Sequence, residues 1–142
     1  MSLPPRTVVL DCDGLFRAAA RDPLALAWLA NAVSQHQRVL VPAVILAEVL
    51  TGKASDAQVW HTVNRLVVVP ADRQVAGEAG PLRERATLVR RKKKDLTVDS
   101  IVVAVARQHA PSLVLTCDVE DFTVLCDGAD VLVRHPAEVQ QQ

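Results

Sequence analysis

The sequence predicts an α/β fold: a mainly parallel sheet of about five strands with helices on both faces. Three features predict it. Short β-branched, apolar runs alternate with longer stretches of helical character. The runs are apolar throughout and do not alternate with polar residues, which suits strands covered on both faces. The 142 residues are 50% hydrophobic and 23% charged, enough for one domain, residues 1–142, with a substantial core.

Thr7 to Leu10 reads as the first strand. Pro23 starts a helix carrying Leu24, Leu26, Ala27, Trp28, Leu29 and Val33. Arg38 to Val41 is the second strand. Pro42 then suits the first turn of a helix that runs through Leu50 and stops at Gly52. Ala57 to Leu66 is helical, and Leu66 to Val69 is a third strand closed by Pro70. Asp72 to Val89 is helical, with Gly77, Gly80 and Pro81 expected to interrupt or bend it. Thr97 is the expected N-cap of a helix from Val98 to about His109, ended by Pro111. Leu113 to Thr116 is the fourth strand, a short helix follows Asp118, and Val131 to Val133 is the fifth strand. The tail 136–142 is expected to fray.

Composition excludes several function classes. Lysine plus arginine is 16 and aspartate plus glutamate is 16, so the chain is no uniformly basic nucleic-acid coat. Aromatics are 3% of the residues, too few for binding built on exposed stacking platforms. No apolar run is long enough to span a bilayer, and Met-Ser-Leu-Pro-Pro does not open a signal peptide, so a cytoplasmic protein without membrane contact is expected. Cys12, Cys117 and Cys126 form no metal-binding spacing and are expected to be reduced, buried thiols.

Four carboxylates stand out because each interrupts or ends an apolar segment. Asp11 follows Val8-Val9-Leu10, and Asp118 follows Leu113-Val114-Leu115-Thr116-Cys117. Glu48 is the only charge between Val39 and Leu50, and Asp99 the only one between Leu96 and Ala106. Burying a lone carboxylate costs several kcal/mol unless something compensates it. Asp11 and Asp118 fall at carboxyl ends of strands, where ligands bind in parallel sheets. Simpler uses exist: Asp11 and Asp118 as helix caps, and Asp99 as an acid at a helix N-terminus. Glu48 has no such use. Together the acids form a candidate site for Mg²⁺ or Mn²⁺, with phosphoryl chemistry as its leading use.

Four segments resemble PIN-domain ribonucleases, in particular the VapC-type toxins of bacterial toxin–antitoxin pairs. Val8-Val9-Leu10-Asp11-Cys12-Asp13 resembles their first strand and leading Asp. Val41 to Leu50 resembles the second strand and the helix bearing Glu. Leu96 to Ala106 is similar to the helix bearing the third acid. Leu115-Thr116-Cys117-Asp118-Val119-Glu120-Asp121-Phe122 resembles the closing Thr-x-Asp-x-x-Asp-Phe segment. The resemblance implies a PIN-like three-layer α/β/α sandwich. It implies Asp11, Glu48, Asp99 and Asp118 as metal ligands, with Asp121 sharing or replacing the Asp118 role and Thr116 as a hydroxyl near the metal or its water. It further implies Mg²⁺- or Mn²⁺-dependent endonucleolytic cleavage of RNA, a homodimer, and inhibition by a cognate antitoxin. Asp13 departs from the family pattern, which often has Asn, Ser or Thr there.

Asp11-Cys12-Asp13-Gly14 also resembles the Asp-x-Asp-Gly motif of haloacid-dehalogenase-type phosphatases, with Asp11 as nucleophile and Asp13 as acid/base. That alternative leaves Glu48 and Asp99 unexplained. A third alternative is a PIN-like module that binds protein or RNA without catalysis.

Arg83, Arg85, Arg90, Arg91, Lys92, Lys93 and Lys94 place seven positive charges within 12 residues. Arg90 to Lys94, just upstream of Asp99, form a candidate contact with RNA phosphates, or else a solvated helix end. The four histidines are scattered and read as surface residues. Trp28 and Trp60 read as core or interface packing.

Overall fold

A computed structural model describes residues 3–90, 94–138 and 140 of the chain. Among these, five strands form one sheet in the order β3-β2-β1-β4-β5, with every neighbouring pair parallel. The strands are β1 (Thr7–Leu10), β2 (Arg38–Pro42), β3 (Val67–Val69), β4 (Ser112–Leu115) and β5 (Val131–Arg134). The helices are α1 (Cys12–Ala19), α2 (Pro23–Ser34), α3 (Ala43–Val49), α4 (Asp56–Val63), α5 (Arg73–Arg90), α6 (Thr97–Gln108) and α7 (Val119–Cys126).

The chain moves outward from β1 through β2 to β3, then returns to place β4 on the other side of β1. The strand order therefore reverses between β1 and β4, and the crevice beyond their carboxyl ends is the position that such sheets use for ligands. The helices divide into two packed groups. α1 contacts α2, α3 and α4, whereas α5, α6 and α7 pack on one another. All four residues of β1 and of β4 are buried, as apolar runs in a sheet covered on both faces require. α6 is buried almost all round: Val102 to Ala106 are fully enclosed against β1, β2 and β4. Its first turn emerges at the crevice and carries Asp99.

Three local expectations are corrected. α5 runs as one helix through Pro81, because Val75, Ala79, Leu82 and Ala86 bury a continuous face against α6 and α7. That packing outweighs the cost of about 3 kcal/mol for an interior proline. Pro42 ends β2 and occupies the N-cap position of α3, one residue earlier than expected. Thr97 is the first residue of α6 and Leu96 its cap; the Asp95 carboxylate accepts from the Thr97 N–H (2.9 Å) and hydroxyl (2.7 Å). Buried Trp28 donates through Nε1 to the Pro136 carbonyl at 2.9 Å; of the tail expected to fray, residues 139, 141 and 142 lie outside the described residues. Trp28 is thus core, whereas Trp60 is 45% exposed. No helix among the described residues is long and apolar enough to cross a membrane.

Candidate active site

Asp11 is the residue at which β1 becomes α1. Its extended backbone makes it the N-cap, and its Oδ1 accepts from the Gly14 N–H at 2.8 Å. The turn is tight. A Cβ on Gly14 would stand 2.9 Å from the Leu115 carbonyl oxygen at the end of β4, so this position takes glycine. The close approach of α1 to β4 brings Asp11 beside Thr116, whose hydroxyl donates to the Asp11 carboxylate. The same hydroxyl accepts from the Asp118 N–H at 2.9 Å. One fully buried side chain, Thr116, thereby links the ends of β1 and β4.

Asp11, Glu48, Asp99 and Asp118 line one cleft of about 690 Å³, together with Asp13, Lys94 and an apolar wall that includes Phe16, Val49, Val98 and Phe122. The four acids singled out in the sequence therefore come together from β1, α3, α6 and the end of β4. The capping reading of Asp11 also holds, since it caps α1 while lining the cleft. Asp118 occupies the N-cap position of α7 but makes no side-chain cap bond; its carboxylate accepts from Lys94. Asp121, three residues after Asp118 in the first turn of α7, is 1% exposed and is held by Arg90 Nε at 2.8 Å. Arg90 also bonds Glu120 at 3.0 Å.

The cleft is electrostatically strained. Burial raises the Asp11 carboxyl from 3.8 to about 6, opposed by the Thr116 and Gly14 hydrogen bonds and helped by Asp13 and Asp118. Burial likewise raises Asp99 to about 6, opposed by Lys94 and helped by Asp11, Asp118 and Glu48. Both acids are therefore more easily protonated in the fold than in the unfolded chain. Their contribution to stability is full below about pH 4 and is lost as pH rises through about 6. The thermal midpoint of the metal-free protein is expected to fall between about pH 5 and pH 7 by several degrees, and added Mg²⁺ should restore it at pH 7. A midpoint that climbs across that interval in metal-free buffer would contradict the strain.

The cysteines differ from expectation. Only Cys126 is buried; Cys12 and Cys117 are half-buried, and Cys12 lines the cleft. Burial and then Glu48 push the Cys12 thiol up to about 12. Burial and then Asp13 push the Cys117 thiol up to about 11. Both stay protonated thiols beside carboxylates.

The phosphatase reading of Asp11-Cys12-Asp13-Gly14 is not carried by the structure. Asp13 lies in the first turn of α1 and pairs with Arg17 at 3.0 Å. Of the basic stretch, Arg90 and Lys94 face acids, and Arg91, Lys92 and Lys93 lie outside the described residues. Among the described residues, no three histidine, cysteine or acidic side chains converge on one point closely enough to hold an ion as they stand. The donor set nonetheless fits a hard divalent cation: the acids offer only carboxylate oxygens, and two of them are held where ionisation is penalised. Sequence reasoning did not single out Arg17, named Gly14 only within the Asp-x-Asp-Gly motif, and read Cys12 and Cys117 as buried thiols.

The PIN domain family model matches residues 8–126. The chain belongs to the PIN family. The matched range contains all four cleft acids. This PIN chain shares its fold with solved structures of low sequence identity. FitAB bound to an IR36 DNA fragment aligns at a TM-score of 0.67 and 22% identity, over 94% of this chain and 98% of that one. FitAcB from Neisseria gonorrhoeae aligns at 0.65 and 22% identity, over 93% and 99%. VapBC2 from Rickettsia felis, bound to a DNA fragment from their promoter, aligns at 0.67 and 12% identity, over 91% and 98%. No curated protein matches the chain.

Proposed function

We propose that the protein is a Mg²⁺- or Mn²⁺-dependent endoribonuclease, acting as the toxin of a VapBC-type pair. The observation that carries the reading is the meeting of Asp11, Glu48, Asp99 and Asp118 in one cleft at the sheet's switch point, within a PIN domain. These four side chains would hold the divalent ion, which when bound supplies a polarised water and charge stabilisation for phosphodiester cleavage. Thr116 positions the centre, since its hydroxyl fixes both Asp11 and the backbone of Asp118. The buried Asp121 serves as the counter-ion of Arg90, which favours Asp118 over Asp121 as the fourth ligand.

RNA as substrate, a cognate antitoxin and a second copy of the chain belong to the same reading. It is supported by the resemblance of this chain's four motif segments to VapC-type toxins, by the PIN domain match and by the fold shared with VapBC2. Basic side chains of the 90–94 stretch would contribute salt-dependent affinity for RNA phosphates.

Substrate class is tested by offering the purified, partner-free chain three substrates in Mg²⁺ or Mn²⁺: total RNA, DNA of matched length, and a small phosphomonoester. Discrete RNA fragments that disappear with chelator and with Glu48→Gln are expected, with DNA intact and no phosphate released. Phosphate release without RNA cleavage would return the phosphatase reading. Intact RNA bound by the chain would leave the non-catalytic module.

A further inference from the structure

We propose that Lys94 is a built-in cation of the acid centre: its ammonium takes the Asp118 Oδ2–Asp121 side, so that the centre admits one divalent ion, on the side of Asp11, Glu48, Asp99 and the other Asp118 oxygen, and not two. The inference rests on the metal-nuclease reading above. Lys94 Nζ donates to the Asp118 carboxylate and lies 3.4 Å from Asp121 Oδ2 and 3.7 Å from Asp99 Oδ2. It therefore sits among three of the acids, Asp99, Asp118 and Asp121. In two-ion centres the ions stand about 3.5–4 Å apart, so a tethered ammonium between those carboxylates occupies the second position.

The other cations point the same way: Arg17 pairs with Asp13 and Asp22, and Arg90 with Asp121 and Glu120, so among the described residues Lys94 is the cation that meets Asp99 and Asp118. Lys94 is also fixed from its carboxyl side. Asp95, the next residue, ties its carboxylate to the N–H and hydroxyl of Thr97, which starts α6. With its side chain 47% exposed, the ammonium also faces the cleft and can meet a phosphate oxygen.

The test is a Mn²⁺ titration of the metal-free full chain at neutral pH, read by the electron paramagnetic resonance of free Mn²⁺. Wild type, Lys94→Met and Lys94→Arg are compared, and their metal-free thermal midpoints are recorded. One Mn²⁺ per chain is expected for wild type and Lys94→Arg, and two for Lys94→Met. Lys94→Met should also lower the metal-free midpoint, because Asp99 and Asp118 lose their counter-charge; Lys94→Arg should not. Two ions in the wild type, or one ion with an unchanged midpoint in Lys94→Met, would overturn the proposal. Two ions together with metal-dependent RNA cleavage would overturn the Lys94 role alone. No bound Mn²⁺ and no cleavage would overturn it together with the nuclease reading.

Discussion

Asp11→Asn is expected to reduce RNA cleavage by at least about a hundredfold, equivalent to about 3 kcal/mol of transition-state stabilisation, while making the metal-free protein more stable. The two effects have one origin. The carboxylate is 6% exposed, and burial raises its pKa to about 6, so at neutral pH the fold carries a charge that it disfavours. A shift of two units corresponds to an upper bound of about 3 kcal/mol. Asparagine keeps a carbonyl oxygen for the Gly14 N–H and removes the charge. The metal-free midpoint should therefore rise at pH 7 by about 3–10 °C. Calorimetry alongside a cleavage assay checks both. A lower midpoint would mean that the cap geometry, and not the charge, dominates at this position; undiminished cleavage would remove Asp11 from the chemistry.

The largest loss of stability is expected for Phe122→Ala. Phe122 is 1% exposed, the largest of the fully buried side chains. It lies in α7, which packs against α5, α6 and β5, and it also walls the cleft. Truncation of a buried Phe costs about 3–5 kcal/mol through lost apolar burial and the cavity left behind. For a chain of this size the midpoint should fall by about 10–15 °C. The neighbouring Asp121–Arg90 pair would lose part of its packed surroundings at the same time. Chemical denaturation of the variant at fixed pH measures the loss directly, and a loss below about 1 kcal/mol would show that the site collapses around the missing ring.

The sheet and the acid cleft were largely legible in the sequence because both leave local marks. β1 and β4 are apolar runs, and a run that is apolar on both faces has to sit in the middle of a covered sheet. Asp11 and Asp118 close those runs, and the parallel order then brings their ends together. Glu48 and Asp99 interrupt helices that are otherwise apolar. What stayed hidden depends on contacts between distant segments. The Asp13–Arg17 pair is local, one turn apart on α1, but that Asp13 also lines the cleft depends on how α1 packs. Cys12 and Cys117 look like ordinary buried thiols until their carboxylate partners are known. Lys94 and Arg90 read as members of one basic stretch, yet both turn inward to acids on and beside α7. Pro81 is a helix breaker by local rule, and only the packing of α5 on α6 and α7 overrides it.

The most direct measurement of the central claim is cleavage of RNA by the metal-stripped, partner-free protein as Mg²⁺ is added back, beside Asp11→Asn under identical conditions. Fragments that appear with Mg²⁺, vanish with chelator and are absent from Asp11→Asn are predicted. The same fragments in chelator, or from Asp11→Asn at the wild-type rate, would contradict a metal-dependent nuclease centred on these acids.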